Sequence, residues 1–126
     1  MSVTTVALMS HLGKMGGTAA FQDNMKAGPA AAAATAIPVN TLASRFTSGP
    51  GATASAVLRD ILTQECPDMH FVINDTGATM NLYPFQGGAT AQTINGATTP
   101  LTIANGGFAF LIRIRANLDW RGQVYT

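Results

Sequence analysis

The feature that most constrains this chain is a series of short apolar segments, each closed by asparagine, glycine or proline, running from Met69 to the C-terminus. Met69, Phe71 and Ile73 alternate with His70, Val72 and Asn74, and Asn74-Asp75-Thr76-Gly77 then supplies turn residues. Met80 and Leu82 alternate with Asn81 and Tyr83 ahead of Pro84. Thr93-Ile94 runs into Asn95-Gly96, a tight-turn dipeptide, and Leu101-Thr102-Ile103 runs into Asn105-Gly106-Gly107. A period of two puts alternate side chains on opposite faces of a sheet, and such segments are too short for stable helices. The pattern predicts a mainly β chain, an antiparallel β-sandwich or barrel of jelly-roll type.

Phe108 to Arg115 is the strongest strand of the series. Phe108, Phe110, Ile112 and Ile114 share one face, and Ala109, Leu111, Arg113 and Arg115 share the other. The bulkier set is expected in the core, together with Phe71, Ile73, Leu82 and Trp120. Trp120 and Val124-Tyr125 are expected to close a last strand. Arg113 and Arg115 repel mildly on their face and call for acidic or amide partners. Asp75 and Asp119 are intrachain candidates, and a neighbouring subunit is another.

Residues 1–35 have a different texture, rich in Gly, Ala, Met and Thr. Gly13, Gly16 and Gly17 interrupt a helix at its start, and Ala30 to Ala34 is too short to hold one alone. The expected organisation is an extended N-terminal arm over 1–35 that orders against neighbours, followed by a β-domain over 36–126. Met15 and Phe21 are the arm's candidate interface residues. Ile37 to Leu42 reads as extended because Pro38 bars a helix interior. Val57, Leu58, Ile61 and Leu62 fit helical spacing, yet Val57-Arg59-Ile61 also alternates, so both readings stand until Pro67 ends the segment. Gly-Ala-Thr recurs at residues 51, 77, 88 and 96 with irregular spacing, which reads as turn-flanking composition and not as a solenoid repeat.

The residues offer little chemistry. His11 and His70 have no companions at metal-ligand spacing, and Pro67 separates Cys66 from His70. Asp60, Glu65 and Asp68 form the one local carboxylate cluster, and a solvated loop accounts for it. Gly13-Lys14-Met15-Gly16-Gly17-Thr18 has the flavour of a phosphate loop, but Met15 stands where Ser or Thr is required. Neither a catalytic activity nor a cofactor is expected. Asn74-Asp75-Thr76 matches a glycosylation triplet and reads as a turn. No run of 18 apolar residues marks a membrane span, and the late Lys14 and Lys26 argue against a secretory signal. Charged residues make up 10% of the chain, against about 25% in ordinary soluble domains. The formal net charge of +1 argues against direct nucleic-acid binding. So little charge leaves little repulsion between copies, a hint of a protein that works assembled.

The stretch from Phe71 to Trp120 resembles a β-domain of tailed-bacteriophage virion proteins. The resemblance lies in the order of Val72-Ile73-Asn74-Asp75-Thr76-Gly77-Ala78, Met80-Asn81-Leu82-Tyr83-Pro84, Thr93-Ile94-Asn95-Gly96, Leu101 to Gly107, and Trp120. It implies a β-rich, non-enzymatic, usually trimeric virion protein, used as head decoration or cement and as a module in tail fibres and spikes. The connection from Ile61 to Met69 is longer and more charged than the family's, and residues 1–35 have no counterpart. The expectation is a capsid decoration protein on the outer surface of the head, a homotrimer bound to the major capsid protein. A tail, neck or fibre component is the alternative. A carbohydrate-binding β-sandwich using Trp120 and Tyr83 is a third reading.

Overall fold

The expected strands form, but they pair in an order that no jelly roll has. The computed structural model describes residues 21–38, 41–62 and 68–126. Its strands are β1 (Phe21–Lys26), β2 (Thr35–Ala36), β3 (Ala43–Ser48), β4 (Ala54–Val57), β5 (Met69–Asn74), β6 (Met80–Tyr83), β7 (Thr93–Ile94), β8 (Leu101–Ile103), β9 (Phe108–Ile114) and β10 (Asp119–Tyr125). A six-stranded sheet has the order β1-β3-β5-β9-β10-β7 and a four-stranded sheet the order β2-β4-β6-β8. From β1 to β6 the chain alternates between the sheets, and each strand lies parallel to the one before it in its own sheet. That winding is a short β-solenoid. Antiparallel pairing begins only where β8 joins β6 and the β9–β10 hairpin joins β5. Both sheets are therefore mixed, and the wholly antiparallel sandwich or barrel is corrected. The physical reason is that Gly, Asn and Pro serve a solenoid corner as well as a hairpin turn, so turn chemistry alone does not fix where the next strand pairs.

Residues 21–35, expected within an extended arm, supply β1, a single turn of 3-10 helix at Ala31–Ala33, and the first residue of β2. They form the first coil. Phe21 pairs with Ala43, and Ala43 with Phe71, so successive coils advance by 22 and then 28 residues. Unequal coils hide the repeat, but its corners survive. Thr35 pairs with Ala56 and Ala54 with Met80, offsets of 21 and 26. The same offsets carry Gly28-Pro29 onto Gly49-Pro50 and Gly51-Ala52-Thr53 onto Gly77-Ala78-Thr79. Two of the four Gly-Ala-Thr triplets are thus one corner of consecutive coils, which corrects their reading as mere composition. Residues 58–62, which follow β4, are not helical, and Leu58 and Ile61 are buried.

The core lies between the sheets. Phe46, Val72, Ala109, Leu111 and Trp120 face Ala54, Ala56, Met80, Leu82 and Ile103, all at 1% exposure or less. Leu82 and Trp120 are core residues as expected. Ile73 is also buried, flanked across its strands by Arg45 and Phe108. The remaining core assignments are corrected. Phe71, Phe108, Phe110, Ile112 and Ile114 point away from the four-stranded sheet, and Ile112 and Ile114 are exposed. Ala109 and Leu111 take the inner face because the inter-sheet space beside Phe46, Met80 and Trp120 is already filled by large side chains. Gly122, level with Leu111, makes room there: a Cβ on it would lie 3.2 Å from both Leu101 and Leu111.

The quoted motif segments are held together by their asparagines. Asn74, fully buried, donates Nδ2 to the carbonyls of Ala78 (2.7 Å) and Ile103 (2.9 Å), and its Oδ1 accepts from the Thr76 backbone and hydroxyl. Asn105 Oδ1 accepts from Gly77 N at 2.8 Å. Asn95 and Gly96 both have positive φ, at 53° and 79°, between Ile94 and Ala97 that exchange backbone hydrogen bonds. This is the two-residue turn that the Asn-Gly pair predicts. The Asn95 side chain then clamps Gly122 of β10 through both its backbone N–H and its carbonyl. Asn74→Ala is expected to cost about 2 kcal/mol, because buried carbonyls lose their donor. Urea unfolding checks this, and an unchanged midpoint would contradict the clamp.

Candidate functional site

The outer faces of the two sheets are unlike. On the four-stranded sheet the outward residues include Asn81, Tyr83 and Thr102, and Thr102 donates to Asn81 Oδ1. That face follows the usual alternation of apolar in and polar out. The six-stranded sheet breaks it. Phe71 stacks on Phe110 with ring centroids 4.7 Å apart, and Phe108 stacks on Tyr125 at 5.1 Å. Phe71 and Phe108 lie at 6.4 Å, so the rings form one continuous aromatic strip over β5, β9 and β10. Met69, Ile112 and Ile114 extend it along the strands at 38%, 43% and 36% exposure. Phe21 shares the row of Ala43, Phe71 and Phe110, so this arm residue joins the same face.

The charges on this face are neutralised within the chain. Arg45 lies between Asp23 (3.1 Å) and Asp75 (2.7 Å), and the Asp75 hydrogen bond holds its guanidinium pKa above the ordinary value. Arg121 pairs with Asp119 at 2.9 Å. Asp119 is buried and accepts from Thr93 Oγ1 and Gly96 N, so it holds the β7 turn as well as an ion pair.

The other candidate interface residues fall elsewhere. Arg113 turns inward with only 5% of its side chain exposed. It donates to the Ile61 carbonyl at 3.1 Å and pairs with Asp68 at 2.6 Å. Its partner is neither Asp75 nor Asp119, the two that the sequence offers. Arg115 is exposed in the 3-10 turn at Arg115–Asn117, off the strand face it was expected to share. The Arg113 hydrogen bond and charge hold the Asp68 carboxyl below its ordinary range, with a smaller pull from Arg115. Met15 and Cys66 lie outside the described residues.

Two features have the outward form of chemistry. Ser44 Oγ lies 3.1 Å from His70 Nε2. Both residues are buried on the inner face, the Thr41 backbone hydrogen-bonds the ring, and burial pushes the ring down to about 4. A base needs reach to a substrate, and this pair has none, so it is a satisfied polar pair in the core. A cleft of about 360 Å3 is lined by Pro84, Phe85, Gln86, Gly88, Ala91, Gln92 and Thr98, without an ionisable side chain among them. Gln92 is committed to the frame, accepting from Ile61 N and donating to Asp60. Among the described residues no three His, Cys, Asp or Glu converge as metal ligands. Trp120, at 1% exposure, has no face to offer a sugar.

No family description, no curated protein and no solved structure matches this chain. The outer sheet face was not identified from the sequence, although a signal existed. Phe108 to Ile114 is apolar on both faces as far as Ile112, the pattern of a strand covered on both sides.

Proposed function

We propose that this chain is a structural protein of a tailed-bacteriophage virion, a decoration protein that binds the outside of the head as a homotrimer and ties capsomers together. The observation that carries this reading is the division of labour between the two kinds of residue. Asn74, Thr76, Gly77, Asn95, Gly96 and Asn105, which bear the resemblance, build turns and clamps. What the frame offers to solvent is a broad apolar sheet face and not a pocket of reactive groups. A surface that works by contact area suits a protein whose task is mechanical.

Trimers seated at capsomer junctions would touch several capsid subunits at once, and multivalence makes each weak contact effectively intramolecular. A ligand that binds only the assembled shell stabilises it by linkage. Heads lacking the protein are therefore expected to lose DNA at lower temperature or under osmotic shock, and added protein should restore them. Equal robustness of depleted and complete heads, with the protein found on the tail in particle images, would replace the decoration reading with the tail reading.

A further inference from the structure

We infer that the outer face of the six-stranded sheet, centred on Phe71, Phe110 and Ile112, is the surface through which copies of this chain pack against one another. The inference rests on the reading of the chain as an assembling protein and adds where assembly occurs. Three observations select a second copy as the occupant. The first is charge. Arg45 is neutralised by Asp23 and Asp75, and Arg121 by Asp119, all within the chain. Such a face gives a charged partner nothing to recognise, and it meets its own copy without like-charge repulsion.

The second is size. The five long strands, β1, β3, β5, β9 and β10, have six or seven residues each, and at about 20 Å in length and about 4.8 Å apart they give a face of roughly 500 Å2. Two such faces cover roughly 1,000 Å2, the lower bound for a specific interface. The third is one-sidedness. The opposite sheet presents Asn81 and Thr102, already bonded to each other, so among the described residues the apolar strip lies on one sheet face and not on both. Copies that turn this one patch toward a shared rotation axis, a three-fold axis in the proposed trimer, close an assembly and do not propagate a filament.

Sedimentation velocity of the full chain at micromolar concentration tests this. The wild type should run as an oligomer. Ile112→Lys places an ammonium on an exposed position of the strip, leaves the core untouched, and should weaken association at least about tenfold. Met69→Gln repeats the test with a milder change on the same face. Thr102→Lys, on the outer face of the other sheet, should sediment as the wild type does. A monomeric wild type, or Ile112→Lys and Met69→Gln chains that associate as tightly as the wild type, would overturn the inference. Head binding is scored separately. An oligomer that ignores heads defeats only the decoration reading, and a wild-type oligomer untouched by these substitutions defeats only the choice of face.

Discussion

Leu111→Ala is expected to cost the fold about 2–5 kcal/mol, and Phe110→Ala, a larger deletion one residue away, only about 1–2 kcal/mol. Leu111 is fully buried in the core cluster that also holds Val72, Met80 and Trp120, so its truncation leaves a void between two packed sheets. Phe110 is half-buried on the outer face and stacks on Phe71 at 4.7 Å, a contact worth about 1 kcal/mol beyond its area. The ranking inverts what side-chain size alone suggests. It should be measured by urea unfolding at the lowest workable concentration, because association would add linkage stability to the wild type. A larger loss for Phe110→Ala than for Leu111→Ala under those conditions would mean that β9 is turned the other way.

The second large effect is a pH dependence centred on one ring. Burial lowers the pKa of His70 from 6.5 to about 4, and a hydrogen bond from the ring to the Thr41 backbone carbonyl offsets this only in part. The folded chain therefore keeps the ring neutral where the unfolded chain has already taken up a proton. The contribution is complete above pH 6.5 and declines as pH falls toward 4. Integrated over that window, the loss is about 3 kcal/mol. His70→Gln removes the titration and keeps a side chain able to hydrogen-bond Ser44. The difference in stability between pH 7 and pH 4 should then shrink by most of that amount. Asp68, held low by Arg113, loses its own contribution as pH falls through the ordinary aspartate range and below, so it touches only the acid end of the His70 window. Equal acid sensitivity in wild type and His70→Gln would rule out the ring as the cause.

Local structure was legible where one residue type has one physical use. The Asn95-Gly96 turn, the strand from Phe108 and the burial of Trp120 and Leu82 all follow from φ preferences and alternation. Two things were not legible, for different reasons. Sheet pairing was lost because a Gly- or Asn-rich corner looks the same whether the chain folds back or moves on to the other sheet. The offsets of 21 and 26 residues between matching corners were in the chain all along, but unequal coil lengths disguise them as irregular spacing. The facing of β5 and β9 was lost because both of their faces carry apolar residues. Size favoured Phe71, Phe108 and Phe110 for the core. Polar His70 and Asn74 nevertheless point inward, because Ser44 and the carbonyls of Ala78 and Ile103 meet their hydrogen-bonding needs. The candidate surface was hidden for the same reason, since its residues had already been assigned to the interior.

The three stacked coils among the described residues also make length an adjustable property. Each coil adds one strand to each sheet and rests only on the coils beside it, while β8, β9 and β10 finish the stack at one end regardless of how many coils precede them. Inserting or deleting a unit between the Gly28-Pro29 and Gly49-Pro50 corners would move the ends of the stack apart or together by about 4.8 Å and leave the aromatic strip on its terminal strands intact. The chain is in this sense a ruler with a fixed tip. Chains with more or fewer coils would differ in reach and keep the same outer face on their last strands.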